Sequence, residues 1–204
     1  MLDELDKLIR SLDITKIDPK RKALLNQIAL HIGDELKHDR VALNFICTHN
    51  SRRSHLSQVW AQTMAAFYRL EGIDCYSGGT EATALFYKVS ETLEKQGFQV
   101  VRLSEGTNPV YAIRYSKHHL PLTAFSKAYN HPFNPATGFV AVMTCDSANE
   151  ACPVVYGAGA RFALVYHDPK VSDNTPHMDE VYAQRSLQMA MEMKYLFEQI
   201  SRRP

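Results

Sequence analysis

The sequence predicts a single α/β domain built on a four-stranded parallel sheet with helices on its faces. Short segments at 41–46, 74–76, 139–144 and 162–166 read as strands, and helical or polar segments alternate with them. With 204 residues, 45% of them hydrophobic, the chain can bury one substantial core. Strands that alternate with helices are joined by crossovers, and crossovers give parallel pairing.

Taken in order, residues 1–40 predict an N-terminal extension of two amphipathic helices ahead of a main domain over 41–204. Leu2, Leu5, Leu8, Ile9 and Leu12 form one stripe, and Leu24, Leu25, Ile28, Ile32 and Leu36 form the next. Their simplest role is to cover the core. The run from Val41 to Ile46 predicts a buried strand, followed by a polar loop and a helix from about Ser54 to Leu70 that Gly72 ends. A strand at Asp74–Tyr76 and a helix around Leu85–Gln96, closed by Gly97, come next. Phe98–Ser104 and Val110–Ser116 flank Glu-Gly-Thr-Asn-Pro as two strands around a turn, and Lys117–Gly138 reads as a loop rich in His and Pro. After strands at Phe139–Thr144 and Phe162–Tyr166, Thr175 is expected to cap a last helix with Pro176 in its first position. Leu187, Met191 and Tyr195 give that helix an apolar stripe toward the sheet.

Charge narrows the function. A formal net charge of +1 lacks the basic excess that nucleic acid or an anionic membrane demands, so any anion recognition must be local. No apolar run approaches the ~20 residues of a membrane span, and the acidic, amphipathic start is unlike a secretory signal. The expectation is a soluble cytoplasmic protein without nucleic-acid or membrane partners. Four cysteines are too few for a disulfide scaffold, so each is first a buried or a reactive thiol, and Cys75 reads as buried.

Cys47 stands at the end of the first strand, and Arg53, six positions on, stands where the following helix begins. The pattern is Cys-x5-Arg-Ser, completed by Ser54. A loop wrapped over a helix N-terminus collects free amides and the positive end of the helix dipole, and an Arg fork can grip two oxygens of a tetrahedral anion. The same field lowers a thiol's pKa from about 8.5 toward roughly 3.5–7.5. Cys47 is therefore expected to be a thiolate nucleophile. Asn50 can fix the loop, and Ser54 can donate its hydroxyl to the sulfur.

Cys47-Thr48-His49-Asn50-Ser51-Arg52-Arg53-Ser54, Tyr76-Ser77-Gly78-Gly79 and His167-Asp168-Pro169 resemble the low-molecular-weight protein tyrosine phosphatases and their relatives, the thioredoxin-coupled arsenate reductases. The resemblance covers roughly 41–97 and 139–200, leaving about 98–138 as an inserted hairpin and loop. It implies a flavodoxin-like three-layer sandwich and an oxyanion, phosphate or arsenate, bound by Thr48, His49, Asn50, Ser51, Arg52, Arg53 and Ser54. Asp168 is implied as the general acid that protonates a leaving alkoxide or phenoxide, and it follows an apolar strand where substrate loops begin in such sheets.

The segment Met143–Pro153 resembles the redox segment of the reductases, including six residues between Cys145 and Cys152. The resemblance implies that Cys47 attacks arsenate, Cys145 attacks the Cys47 sulfur with release of arsenite, and Cys152 resolves the disulfide. No bound cofactor is implied, only an external thiol reductant such as thioredoxin or glutaredoxin. His49 and Arg52 depart from the Gly and Cys common in these relatives. A Gly at position 49 permits positive φ, which His tolerates better than most bulky residues. Gln58 replaces an acidic residue of the potassium-binding reductases, which argues against a potassium site. Arg114, Tyr115, His118, His119, Tyr129 and His131 of the insertion are candidates for a substrate rim. His118, His119 and His131 have no carboxylate or thiol at ligand spacing, so no metal is expected.

Three functions compete: thiol-based arsenate reduction, phosphotyrosine or small phosphoester hydrolysis through a cysteinyl-phosphate, and non-catalytic oxyanion or redox sensing. Intact Cys47, Arg53 and Asp168 favour an enzyme, and the two further cysteines put the reductase first.

Overall fold

In chain order the elements are α1 (Asp3–Ser11), α2 (Pro19–Glu35), β1 (Val41–Cys47), α3 (Arg53–Phe67), β2 (Ile73–Gly79), α4 (Tyr87–Lys95), β3 (Gln99–Arg102), β4 (Tyr111–Arg114), β5 (Leu122–Ala124), β6 (Phe139–Met143), α5 (Asp146–Ala151), β7 (Ala158–Ala163) and α6 (Met178–Ser201). The computed structural model describes residues 1–151 and 154–203.

β2, β1, β6 and β7 pair in that order, all parallel, as the central sheet. β1 is the central apolar run. Val41, Leu43 and Phe45 face a large core shared with α2, α3, α4 and α6, and Ile46 joins Phe139, Ala141 and Met143 in a smaller core under α5. Burial on both faces is why this strand is almost continuously apolar. The result is the three-layer α/β arrangement expected of the flavodoxin-like class.

The first forty residues belong to the larger core. Leu5, Ile9, Leu25, Ile28 and Ile32 are fully buried there. Asp18 accepts from the Lys20 and Arg21 amides and so caps α2, with Pro19 in the first turn. Across the interface Arg21 meets the buried Glu192 of α6 at 2.8 Å.

Several elements differ from the sequence expectation. β2 runs to Gly79 instead of stopping at Tyr76, because β1 dictates a ladder from Val41↔Ile73 to Cys47↔Gly79 and backbone pairing needs no apolar side chains. The strand expected at Phe162–Tyr166 is Ala158–Ala163, paired parallel with β6 and with a register shift between Phe139↔Ala158 and Val140↔Ala160. β6 ends at Met143, and beyond it the Leu164 and Tyr166 amides continue the bonding, to Met143 O at 2.9 Å and Thr144 O at 3.1 Å. α6 starts at Met178, since the Thr175 hydroxyl donates to Ser172 O at 2.8 Å in a preceding turn instead of capping the helix. The predicted hairpin is present as β3 and β4, and the stretch read as loop adds β5 to make an antiparallel three-stranded sheet.

The outer edge of β2 is covered, as an open edge would otherwise template pairing. Gln58 donates to Cys75 O at 3.0 Å, while Gln62 donates to Ile73 O at 3.1 Å and accepts from Cys75 N at 2.8 Å. At the other end, Gly79 N donates to Lys127 O and Tyr129 N to Gly79 O, at 2.9 and 2.8 Å. Tyr129 Cα lies 2.4 Å from where a Cβ on Gly78 would sit, so only glycine admits the inserted segment so closely.

Candidate functional site

Strand order reverses at β1, with β2 on one side and β6 on the other. Crossovers diverge at such a point and leave a crevice at the carboxyl end of the strand. Cys47 ends β1 there, and residues 48–52 lead into α3 at Arg53.

Four of the loop's carbonyls turn outward. Cys47 O accepts from Thr80 N at 3.0 Å, Thr48 O from Glu81 N at 2.9 Å, and Ser51 O from Phe86 N at 3.1 Å. His49 O accepts from the hydroxyls of Ser126 at 2.9 Å and Thr83 at 3.1 Å. A peptide plane with its carbonyl outward carries its N–H inward. Among the described residues, none of the amides of 48–54 donates to another protein group. The first turn of α3 adds the positive end of its dipole, which makes the loop an anion cradle. Gly79 lines its back, where a Cβ would stand 2.5 Å from Thr48 O and 2.8 Å from Asn50 N.

Within the cradle, the Cys47 sulfur lies 3.1 Å from Ser54 Oγ, and Asn50 Nδ2 donates to that same oxygen at 2.8 Å. Having accepted one proton, the serine hydroxyl has its own to direct at the sulfur. Asn50 takes the left-handed conformation, φ +44°, which asparagine tolerates. The strained position is thus Asn50, and His49 does not need the freedom of glycine. His49 instead bridges outward, its Nε2 2.9 Å from Glu81.

Arg53 spans the mouth, donating through one terminal nitrogen to Tyr166 O at 3.1 Å and through the other to Asp168 at 2.5 Å. The second oxygen of Asp168 accepts from Lys170 N at 3.0 Å, which fixes the carboxylate on a short turn at Pro169–Ser172. Cys47, His49, Ser51, Arg52, Arg53 and Asp168 line one narrow recess. The Arg52 guanidinium is a correction to the sequence reading. It bonds the Tyr182 hydroxyl and Asp173, both at 2.6 Å, and lies 4.0 Å over the Phe86 ring. Although Arg52 helps to line the recess, its guanidinium is thus committed to these protein partners.

Cys145 ends the neighbouring strand connection, with its sulfur 3.5 Å from the Thr48 hydroxyl and receiving Ala148 N at 3.3 Å. Cys47, Cys75 and Cys145 are buried free thiols. Burial pushes the Cys75 thiol well above its ordinary range. Cys152 lies outside the described residues.

No protein-family model and no curated protein matches the chain. Solved structures do match. A low-molecular-weight phosphotyrosine phosphatase from Vibrio cholerae O395 aligns at TM-score 0.50 and 13% identity over 78% of this chain and 95% of its own. A low-molecular-weight protein tyrosine phosphatase from T. tengcongensis aligns at 0.50 and 16%, over 78% and 98%. A YwlE mutant from Bacillus subtilis aligns at 0.52 and 13%, over 78% and 97%. The fold is that of the low-molecular-weight protein tyrosine phosphatases.

On this phosphatase fold the insertion does not build the rim that its residue types suggested. Tyr115 is buried in the core, and His118 and His119 line a surface groove with Gln62 and Asp74, beside the opening strand residues of β2 and away from Cys47. Tyr129 backs Gly78, and the His131 ring packs on Phe125. Among the described residues, no group of three or more His, Cys, Asp or Glu could hold a metal. The insertion reaches the loop through Ser126 and Lys127, whose amide donates to Asn50 Oδ1 at 2.9 Å. Neither residue carries a motif, so only the folded geometry reveals them.

Proposed function

We propose that the chain is a cysteine-dependent oxyanion enzyme and, more narrowly, an arsenate reductase working through a thiol relay. The observation that carries this reading is the second thiol, Cys145, 3.5 Å from the Thr48 hydroxyl in the wall of the Cys47 loop. Arsenate is held by the loop amides and Arg53 while the Cys47 thiolate displaces a protonated oxygen as water, forming a sulfur–arsenic bond. The Cys145 thiolate then attacks the Cys47 sulfur. The sulfur–sulfur bond forms, the sulfur–arsenic bond breaks, and its electron pair reduces arsenic to the trivalent state, released as arsenite. Cys152 attacks Cys145 and frees Cys47, and an external dithiol of the thioredoxin or glutaredoxin class reduces the last disulfide. Such a cycle needs a reducing compartment, so we assign the protein to the cytoplasm. No helix among the described residues is long and apolar enough to cross a membrane.

A second reading, phosphoester hydrolysis, is supported by Asp168, which lines the recess together with Cys47 and Arg53. Cys47 would attack phosphorus, Asp168 would protonate the leaving oxygen, and water would hydrolyse the cysteinyl-phosphate. Measuring arsenite release and p-nitrophenyl phosphate hydrolysis side by side separates the two. Wild type with a thioredoxin system is expected to release arsenite, Cys145→Ser to release none yet keep phosphatase turnover, and Cys47→Ser to lose both. If wild type treated with arsenate keeps every thiol free and releases no arsenite, the reductase reading fails and phosphoester hydrolysis replaces it.

A further inference from the structure

The inserted segment touches the Cys47 loop at one hub. Ser126 Oγ donates to His49 O at 2.9 Å and accepts from Thr83 N at 2.8 Å. With that amide on its lone pair, the hydroxyl proton is committed to His49. The Ser126 backbone is itself gripped on both sides by one carboxamide. Ser126 N donates to Asn108 Oδ1 at 3.1 Å, and Asn108 Nδ2 donates to Ser126 O at 2.8 Å. One residue on, Lys127 N donates to Asn50 Oδ1 at 2.9 Å. Ser126 and Lys127 are 2% and 1% exposed, so water cannot readily replace these bonds.

Both contacts with the loop act on groups that set its geometry. The His49 carbonyl and the Asn50 N–H belong to one rigid peptide plane, so drawing the oxygen out toward Ser126 turns the amide inward. The bond from Lys127 N holds the Asn50 carboxamide with its nitrogen on Ser54 Oγ, which stands 3.1 Å from the Cys47 sulfur. A path of hydrogen bonds therefore runs from Asn108 through Ser126 to His49, and through the adjoining Lys127 amide to Asn50, Ser54 and Cys47.

We propose that Asn108 and Ser126 are positioning residues for the Cys47 nucleophile, holding the peptide between His49 and Asn50 with its amide inward and keeping Ser54 directed at the sulfur. Neither residue touches the anion. Both act through the loop, which makes the inserted segment part of the active-site machinery. The proposal rests on the reading of Cys47 as the nucleophile of an oxyanion loop.

The test follows alkylation of Cys47 by iodoacetamide near neutral pH, scored on the Cys47 peptide by mass spectrometry, with and without inorganic phosphate. Phosphate is expected to protect wild-type Cys47, and absence of protection there overturns the underlying reading. Given protection, Ser126→Ala is expected to slow alkylation and to raise the protecting phosphate concentration by about 10–100-fold, the range for losing an outer support of a preorganised site. Asn108→Ala should move both readouts the same way by less, and Ser126→Thr, which keeps the hydroxyl, should restore them. A folded Ser126→Ala with wild-type alkylation and protection overturns the proposal. If Ser126→Ala does not fold, Asn108→Ala decides on the same two readouts. Loss of folding in both variants also overturns it, because the residues would then support the fold and not the nucleophile.

Discussion

Arg53 serves two acceptors at once, Tyr166 O and Asp168, from opposite ends of one planar fork. Lysine offers a single point charge without the planar, bidentate spacing of the guanidinium donors. Arg53→Lys is therefore expected to lower kcat/KM for either substrate by about 10²-fold or more, the scale of removing an oriented oxyanion donor, and unchanged inhibition by phosphate would remove Arg53 from that role. Two residues on, His55 is fully buried with Nδ1 3.3 Å from the Ser77 hydroxyl. Burial, helped by the neighbouring Lys127 charge, pushes its pKa down to about 3 from 6.5. Between those values the unfolded chain binds a proton that the folded protein refuses, so stability falls as pH drops from 6.5 toward 3. His55→Gln should flatten the acid limb of a urea-midpoint profile, and an unaltered limb would contradict this account.

At the scale of elements, the insertion is held by a polar spine with a buried charge in it. Lys127 donates to Phe125 O at 3.2 Å, and its ammonium lies 4.5 Å from the Phe125 ring centroid and 5.2 Å from that of Phe133. The rings and the one carbonyl offset only part of the lost hydration. Burial lowers the lysine pKa from 10.5 to about 8. Over that window the unfolded chain holds more protons than the folded one, so this group's contribution to stability rises with pH. Lys127→Met should be more stable than wild type at pH 7, with the difference shrinking as pH rises toward 10.5. Thermal melts of both proteins across that range test it, and a constant difference would refute it. The scattered His and Tyr of this segment suggested a substrate rim, but residue type does not encode direction. β5 and the turn beyond it bury or divert those side chains and bring Ser126 to the loop.

At the scale of the molecule, residues 1–40 are bound into the core that supports α3 and α6. Leu5 and Ile9 are fully buried in it, and Arg21 pairs with Glu192 across the α2–α6 interface. Leu5→Ala is expected to cost about 2–5 kcal/mol. Cys47 alkylation and its phosphate protection should stay unchanged at temperatures where the variant remains folded, because Leu5 touches no part of the loop network. A selective loss of protection without a fall in Tm would show that the extension acts on the site directly.

Local chemistry was enough to read the central strands, the loop from Cys47 to Ser54 and the two helical stripes of the extension. Each depends on neighbours in sequence: apolar runs, a strand–loop–helix boundary, or helical periodicity. The ends of β2 and β7 were not legible, because a ladder stops where its partner stops, and that partner is distant along the chain. Nor was the fate of Arg52, adjacent to Arg53 and identical in type, whose guanidinium is claimed by Asp173 and Tyr182 from the far end of the chain. The sequence by itself determined which residues could make an anion cradle with a thiol in it. Only the tertiary structure decided which way each peptide and guanidinium faces, because those orientations are set by hydrogen bonds to partners more than thirty residues away in sequence.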